Sequence, residues 1–226
     1  MEEKTKFLGL VERSEYILLH CSGKRVLHVG CTNFPNTEVK LRDGNLLHQK
    51  IEKVASLLHG IDIDKEGIDY LKKKGFDNIY YLDAENLAKP NKNLFNAYDV
   101  VALADIIEHS SDPKAILEGA KARLGKDGET IVSFPNAFYW FGFLCALIGK
   151  EVTHPEHVAY YSPRNIQELL KRAGFELVEI GGCYEGPLTK KPRNFFIRIG
   201  KSIERKLILQ LFPRISGGII CRAKKE

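Results

Sequence analysis

Short apolar segments alternate with segments of helical spacing along most of the chain, and this alternation constrains the fold more than any other feature. Val26–Val29, His59–Ile63 and Tyr98–Leu103 have the composition of buried strands. Helices are predicted between them, among them Lys65–Lys74 and Pro113–Leu124, the second with proline at its first position. Strands that alternate with helices form a mainly parallel sheet covered on both faces. The prediction is an α/β fold.

The two ends of this pattern are less regular. Leu10–Cys21 has apolar residues at helical spacing, which predicts a leading helix. After the first strand, the polar stretch Asn33–Asn45 predicts a long loop, and Leu46–Leu58 resumes helical spacing. The other predicted elements are the strands Asn78–Tyr81, Thr130–Phe134, Glu176–Ile180 and Ile219–Ala223 and a helix that Ser162 caps and Gly174 ends.

One domain accounts for the whole chain, because splitting 226 residues in two would leave each half a small core. We therefore predict a single domain over residues 1–226, with a basic amphipathic insertion over residues 189–218. Within it, Phe195–Phe212 places cations between apolar residues at helical intervals. This segment and the apolar stretch Phe138–Leu147 favour a lid over an acceptor pocket or a homodimer contact. Peripheral contact with an anionic membrane is the second interpretation, and nucleic acid is the least favoured.

The first residues, Met1–Phe7, are charged and contain no apolar segment of the kind that secretory signals have, so we expect a cytoplasmic protein. The apolar run Ala137–Gly149 is too short to span a bilayer, which needs roughly 20 apolar residues. Five cysteines are scattered and never spaced as CxxC, which argues against a disulfide framework or a zinc site. Reduced, mostly buried thiols are predicted.

Ligand sites of open α/β sheets lie beyond the carboxyl ends of the strands, and several informative residues fall there. Gly30 follows the first of these strands, where it lets a ligand approach the backbone. Asp62 lies at the end of the next strand, in the position where a carboxylate accepts the hydroxyls of a ribose. Asp83 comes after a third strand and could accept a hydrogen bond from the exocyclic amine of adenine. The alternative is that these acids cap helices or face water.

The motifs "VLHVGC", "GIDID", "LDAENL", "YDVVALADIIEHSSDP", "GETIVSFPN" and "YYSPRNIQELLKRAGFELVEI" follow one another in this order. In that order the chain resembles the class I S-adenosylmethionine-dependent methyltransferases, most closely the group that methylates small molecules, quinones and sugars. The resemblance runs from about Lys24 to Ile180. It implies a Rossmann-like three-layer sandwich with a seven-stranded, mainly parallel sheet whose last strand is antiparallel. The implied cofactor is S-adenosyl-L-methionine.

The same resemblance assigns cofactor contacts to the strand ends. The implied contacts are Gly30 and Cys31 with the methionine part, Asp62 and Ile63 with the ribose, Asp83 and Ala84 with the adenine, and Ala104 and Asp105 beside the sulfonium. The opening loop departs from the family pattern, which usually has glycines where Thr32 and Phe34 stand. A side chain at Thr32 could narrow the cleft or donate a hydrogen bond to the methionine carboxylate, and we expect binding to survive.

Methyl transfer from a sulfonium is a direct displacement in which the protein mainly aligns the reacting atoms. A hydroxyl acceptor additionally needs a base, and neutral imidazole can take a proton near neutral pH. We therefore predict His109, His157 and His154 as catalytic candidates. The two tyrosines of "THPEHVAYYSP", Tyr160 and Tyr161, could also face the acceptor. Packing roles are the alternative for each residue.

Asp105, Glu108 and His109 also have the spacing of metal ligands, and some quinone methyltransferases use a similar cluster for magnesium. The histidines of "THPEH" lack the HExxH spacing of zinc hydrolases. The metal interpretation is the weaker one, and we predict a site without a metal.

Together these features predict a methyltransferase that transfers a methyl group from S-adenosylmethionine to a small or lipid-linked acceptor, at oxygen. One alternative is a nicotinamide dinucleotide-binding oxidoreductase, but residues 30–35 (GCTNFP) supply only the first glycine of the required G-x-G-x-x-G. The other alternative is a non-enzymatic, methyltransferase-like binding module whose altered loop no longer accepts cofactor.

Overall fold

The computed structural model describes residues 5–185 and 209–226. These residues form one sheet of eight strands with helices on both faces. The strands are β1 (Lys6–Glu12), β2 (Arg25–Val29), β3 (Leu57–Asp62), β4 (Ile79–Tyr81), β5 (Tyr98–Ala104), β6 (Leu124–Pro135), β7 (Phe175–Tyr184) and β8 (Gly218–Lys225). Their order across the sheet is β1-β7-β8-β6-β5-β2-β3-β4. All pairs are parallel except those that β8 makes with β6 and β7.

Seven helices longer than one turn lie within the described residues. They are α1 (Arg13–Cys21), α2 (Thr37–Arg42), α3 (Leu47–Glu52), α4 (Lys65–Lys73), α5 (Pro113–Arg123), α6 (Trp140–Leu147) and α7 (Pro163–Arg172). Shorter helical turns are Ala84–Asn86, Ile107–His109, Leu209–Leu211 and Pro213–Ile215. The predicted cap at Ser162 is confirmed, since its side chain and that of Asn165 form a reciprocal capping box at the start of α7.

Alternate residues of the central strands pack against different helices, which produces the three layers. Val26 and Val100 lie in a cluster with residues of α1 and α3, whereas Leu27 and Val101 lie in a cluster with residues of α5 and α7. Because successive side chains of a strand point to opposite faces, both faces of β2 and β5 are buried. The predicted α/β sandwich with an antiparallel last strand is thus confirmed.

The sheet has one strand more than the seven predicted. The leading helix predicted over Leu10–Cys21 was wrong in its first turn, because Lys6–Glu12 forms strand β1 and the helix begins at Arg13. β1 pairs in parallel with β7 at the edge of the sheet. This pairing joins segments far apart in the chain, and local apolar spacing carries no signal for it.

The loop after β2 also differs from its prediction. Thr37–Arg42 forms helix α2 within the stretch predicted as a loop, and the helix predicted over Leu46–Leu58 ends at Glu52. Leu57 and Leu58 instead begin β3, earlier than the predicted strand start at His59. The sequence prediction joins the apolar residues at the end of α3 and at the start of β3 into one helical face.

All five cysteines are buried and unpaired, as predicted. Most of the predicted basic insertion lies outside the described residues, which resume at Leu209, so the insertion and the single-domain organisation stay predictions. Within the described ranges, every helix is too short or too polar to cross a membrane.

Candidate active site

The carboxyl ends of β5, β2, β3 and β4 lie side by side in the sheet. They bring Gly30, Asp62, Asp83 and Asp105 to one edge. Leu82 donates its backbone N–H to the carbonyl of Asp62 at 3.0 Å, so the residue before Asp83 touches the end of β3. The edge predicted to hold the cofactor is therefore continuous from β5 to β4.

The backbone conformation at position 30 and the side chain packed against it both favour glycine there. Gly30 has φ +76°, a conformation that favours glycine. A Cβ atom placed on Gly30 would lie 2.1 Å from Cδ1 of Ile106. A side chain at position 30 would therefore force the side chain of Ile106, the residue after Asp105, to move.

Asp62 holds the turn that departs from the family pattern. Its Oδ2 accepts a hydrogen bond from the backbone N–H of Thr32 at 2.9 Å, and its Oδ1 accepts one from Asp64 at 3.0 Å. The methyl group of Thr32 lies beside the first turn of α4, since a Cβ on Gly67 would be 3.0 Å from it. Thr32 thus contributes its backbone to Asp62 and turns its methyl group towards α4.

Two of the other cofactor candidates differ strongly in exposure. The side chain of Cys31 is fully buried in a core cluster with Leu46 and Ile68, and its N–H donates to the carbonyl of Ile61. Ile63, by contrast, is 64% exposed beside Asp62. A large exposed apolar side chain at a strand end is available to contact a ligand, whereas the thiol of Cys31 is not.

Asp83 performs the capping role that was its alternative interpretation. Its Oδ1 accepts a hydrogen bond from Glu85 at 2.9 Å at the start of the turn Ala84–Asn86. The Asp83 side chain is nevertheless exposed, and Ala84 is half-buried. A carboxylate can cap a turn and still accept a further hydrogen bond, because its two oxygens offer about four acceptor positions.

Asp105 occupies a strained position immediately after Ala104, the last residue of β5. It has φ +56° and is the one residue other than glycine with positive φ among the described residues. Its carboxylate accepts a hydrogen bond from the hydroxyl of Ser133 at 2.9 Å and is paired with Arg13. Strain of this kind persists where surrounding contacts enforce it and is common at functional sites. Sequence reasoning missed Arg13, because its partner lies 92 residues further along the chain.

The three candidate histidines come together. The ring centroids of His109 and His157 are 4.7 Å apart, and those of His154 and His157 are 5.0 Å apart. His109 ends the turn after β5, and the other two lie on the segment before α7. Burial, together with the neighbouring His109 and His154, lowers the pKa of His157 below its usual 6.5. Its imidazole is therefore neutral at pH 7.

Glu108 lies beneath these histidines. It is fully buried, and neither carboxylate oxygen has a hydrogen-bond partner within the described residues. Burial raises the pKa of Glu108 to about 7. The neighbouring phenol of Tyr161 is buried and donates to the carbonyl of Ile107 at 3.3 Å, which gives Tyr161 a structural role.

The magnesium cluster that the resemblance implies does not fit this geometry. Asp105 is held by Arg13 and Ser133. The donors that approach within 4.8 Å of one another are Glu108, His109 and His157. Magnesium prefers oxygen ligands in octahedral geometry, and two imidazoles with one carboxylate do not supply them.

An apolar groove with a volume of about 720 Å³ lies next to the histidines. The apolar side chains that line it include Phe138, Tyr139, Phe143, Ala146, Val152 and Tyr160. Tyr160 also places its hydroxyl 3.4 Å from Nδ1 of His157. The groove and the histidine cluster therefore share Tyr160 and form one region.

Comparison with known proteins identifies the chain. A family model described as a methyltransferase domain matches residues 12–180. The ubiquinone biosynthesis O-methyltransferases of Haemophilus ducreyi and Nitrosococcus oceani are 28% and 24% identical. The alignments cover 75% and 84% of this chain and 72% and 78% of those proteins.

Solved structures share the fold. A SAM-dependent methyltransferase from Archaeoglobus fulgidus has a TM-score of 0.59 at 22% identity, with 93% of this chain and 90% of that one covered. The magnesium protoporphyrin IX methyltransferase from Synechocystis, solved with bound SAH, has a TM-score of 0.58 at 16% identity, with 94% and 82% covered. The chain therefore belongs to the methyltransferase family, and it is an enzyme whose methyl donor is S-adenosylmethionine.

Proposed function

We propose that this enzyme methylates a hydroxyl group on a small acceptor that carries an apolar, lipid-like part. The observation that carries the proposal is the position of Tyr160, which lines the apolar groove and contacts His157. An acceptor whose apolar part occupies the groove would place its polar head at the histidines. One of those histidines, His109, ends the turn after β5, and in that turn Ile106, the residue after Asp105, lies against Gly30.

The reaction needs one proton acceptor. The acceptor oxygen attacks the methyl carbon, the bond from carbon to sulfur breaks, and the sulfonium becomes the neutral thioether of S-adenosylhomocysteine. The hydroxyl proton passes to a neutral imidazole. His157 is the first candidate for this role because its lowered pKa keeps it neutral. His109 and His154 complete the basic cluster and could take the proton in its place.

For the cofactor, we propose contacts at the strand ends that the sequence predicted. Gly30 and the backbone of Cys31 adjoin the methionine part. The other proposed contacts are Asp62 and Ile63 at the ribose, Asp83 and Ala84 at the adenine, and Ala104 and Asp105 beside the sulfonium. Two observations support these assignments. The carboxylates of Asp62, which is half-buried, and Asp83, which is exposed, can accept further hydrogen bonds, and the side chain of Ile63 is exposed.

The relatives named as ubiquinone biosynthesis O-methyltransferases support oxygen as the methylated atom and a lipid-tailed ring as the acceptor class. The groove agrees with such an acceptor, because its lining is rich in aromatic and aliphatic side chains. Phe143 is 65% exposed on α6 and would contact the apolar part directly.

The exposed apolar surface around α6 needs a partner. It includes Phe138, Phe143, Leu147 and Ile148, with exposures of 59–69%. We propose that a lid over the groove or a second copy in a homodimer covers it, in preference to a membrane surface, and we propose no nucleic-acid role. A cytoplasmic location is proposed on the five buried, unpaired thiols, which suit a reducing compartment.

The test measures release of S-adenosylhomocysteine with pairs of dihydroxybenzene acceptors that differ only in an isoprenoid tail. We expect methylation at oxygen, with kcat/KM at least about tenfold higher for the tailed member of each pair, since each buried methylene contributes about 0.8 kcal/mol. Phe143→Ser should remove most of this preference. Leu19→Ser, which alters a similarly exposed apolar residue of α1, should leave it unchanged. Equal rates with and without the tail, or transfer only to amines or thiols, would contradict the proposal.

A further inference from the structure

The side chain of Glu85 connects the loop after β4 to the segment that follows His109. Glu85 lies in the turn Ala84–Asn86, beside the proposed adenine contacts. Its Oε1 accepts three hydrogen bonds from the other segment. The donors are the hydroxyl of Ser110 at 2.5 Å, the backbone N–H of Asp112 at 3.1 Å and the hydroxyl of Ser111 at 3.2 Å. One carboxylate oxygen therefore holds three consecutive residues.

These hydrogen bonds favour the ionised form of Glu85. They lower its pKa, and the Ser110 hydroxyl contributes most, followed by the N–H of Asp112. A hydrogen bond to an ionised acceptor is shorter and stronger than one between neutral groups. Ser110 is buried, and its hydroxyl also accepts a hydrogen bond from the N–H of Asp112 at 2.9 Å. The segment after His109 is therefore fixed to a charged group of a different element.

Neither element needs this connection for its own start. Helix α5 has its own cap, because Oδ1 of Asp112 accepts a hydrogen bond from the backbone N–H of Ala115 at 3.0 Å. The turn that contains Glu85 is capped in the same way by Asp83. The hydrogen bonds of Glu85 thus add a link between two elements that are each already capped.

The segment that Glu85 holds is also joined to the histidine cluster. The carbonyl of Glu108 accepts a hydrogen bond from the N–H of Val158 at 2.9 Å. Nδ1 of His109 lies 3.2 Å from the carbonyl oxygen of Glu156. His157 stands between these two partners in the chain. A displacement of the residues around His109 would therefore move the imidazoles relative to the cofactor.

We infer that Glu85 is a positioning residue that fixes His109 relative to the turn at the adenine, so that cofactor binding also sets the position of the basic cluster. The inference rests on the proposed function, because it takes His109 as a possible base and Asp83 and Ala84 as adenine contacts. Methyl transfer depends on alignment, and a displacement of about 1 Å can slow an enzyme about 100-fold. Glu85 acts through other residues and needs no contact with the reacting groups.

The first test follows the imidazole of His109 by NMR and needs no acceptor. Binding of S-adenosylhomocysteine should shift the side-chain resonance of His109 in the wild type, and His109→Gln assigns that resonance by its absence. Glu85→Ala should lose most of this shift, because the link between the two turns is gone. Its calorimetric affinity for S-adenosylhomocysteine should change by less than about twofold, since Asp83 keeps its own cap contact.

The second test separates kcat from KM with a dihydroxybenzene acceptor. Glu85→Ala should lower kcat by about tenfold and leave KM for S-adenosylmethionine unchanged, because alignment is lost and cofactor binding is kept. Glu85→Gln retains an oxygen that accepts hydrogen bonds and should recover most of the loss. The matched control is Glu118→Gln on α5, whose exposed carboxylate lies 3.0 Å from Lys114, and this variant should behave like the wild type.

Two results would overturn the inference. One is a full shift of the His109 resonance together with wild-type kcat in folded Glu85→Ala. The other is a large loss of affinity for S-adenosylhomocysteine, which would make Glu85 part of the cofactor site. If Glu85→Ala does not fold, Ser110→Ala removes the shortest of the three hydrogen bonds from the other side, and the same two results apply to it.

A failure of the proposed function would look different. The dihydroxybenzene acceptors would then not be methylated at oxygen, while the His109 resonance of the wild type would still respond to S-adenosylhomocysteine and that of Glu85→Ala would not.

Discussion

The carboxylate of Asp62 accepts a hydrogen bond from the backbone N–H of Thr32 at 2.9 Å, and this contact joins the end of β3 to the turn after β2. It shows how the turn keeps its shape without the usual further glycines. The residue type at position 32 matters less than its N–H group, which any residue but proline supplies. Asp62 therefore holds the turn, and we propose that it also accepts the cofactor ribose.

Asp62→Ala should weaken binding of S-adenosylmethionine by about 10- to 100-fold, because it removes the acceptor for the ribose and the anchor of Thr32 together. Calorimetric titration measures the change. Asp69→Ala, at an exposed position on α4, is the matched control and should bind normally. An unaltered affinity in folded Asp62→Ala would remove Asp62 from the site.

Gly30→Ala should abolish measurable cofactor binding and lower the free energy of unfolding by about 2 kcal/mol or more, because a β-carbon meets Ile106 and φ is positive. Gly44→Ala separates the two effects. Gly44 has φ +69° but no atom within 4 Å of an added Cβ, so only the strain of about 1 kcal/mol applies. Urea unfolding and titration of both variants provide the comparison, and equal effects at the two glycines would argue against the close approach to Ile106.

His109→Ala and His157→Ala should leave cofactor affinity unchanged and slow turnover by about 100-fold or more for the residue that acts as the base. The base works in its neutral form, so kcat/KM should fall as the pH drops through its pKa. For His157 this midpoint should lie below 6.5, since its pKa is lowered. His154→Asn removes an imidazole whose electrostatic interaction helps to lower the pKa of His157, so it should move the midpoint upwards. Full activity of both alanine variants with the true acceptor would exclude both residues.

Metal removal should have little effect. We expect chelation with EDTA to leave turnover within about twofold and added magnesium to give no stimulation, because the donor set lacks the oxygen ligands that magnesium prefers. Turnover measured before and after dialysis against the chelator checks this. Loss of activity that magnesium restores would contradict it.

Glu108→Gln should stabilise the protein at alkaline pH. The pKa of Glu108 rises from 4.5 to about 7 on folding, so the folded state retains a proton that the unfolded state releases. Stability of the wild type is therefore lost as the pH rises from 4.5 to 7, and the advantage of the glutamine should grow over this window to about 3 kcal/mol. Urea unfolding at pH 5 and pH 8 tests the sign, with exposed Glu176→Gln as control. A glutamine variant with no advantage at pH 8 would show that Glu108 ionises at its ordinary pKa.

Local sequence was enough to predict the fold class and the edge that forms the site. The alternation of strands and helices, the cap at Ser162 and the position of Asp62 at the end of β3 follow from apolar spacing and from residue types at element ends, which act over a few residues. The same reasoning placed Gly30 where the structure has a positive φ and no space for a Cβ.

Contacts between distant segments were decided by the tertiary structure. β1 pairs with a strand far along the chain, Arg13 pairs with Asp105, and His109 meets the histidines of a segment that begins after α6. The sequence by itself determined which side chains are available at the strand ends. The assembly of the strands and helices decided which of these side chains meet and which pKa values burial shifts. Burial and electrostatic interactions act through space and not along the chain.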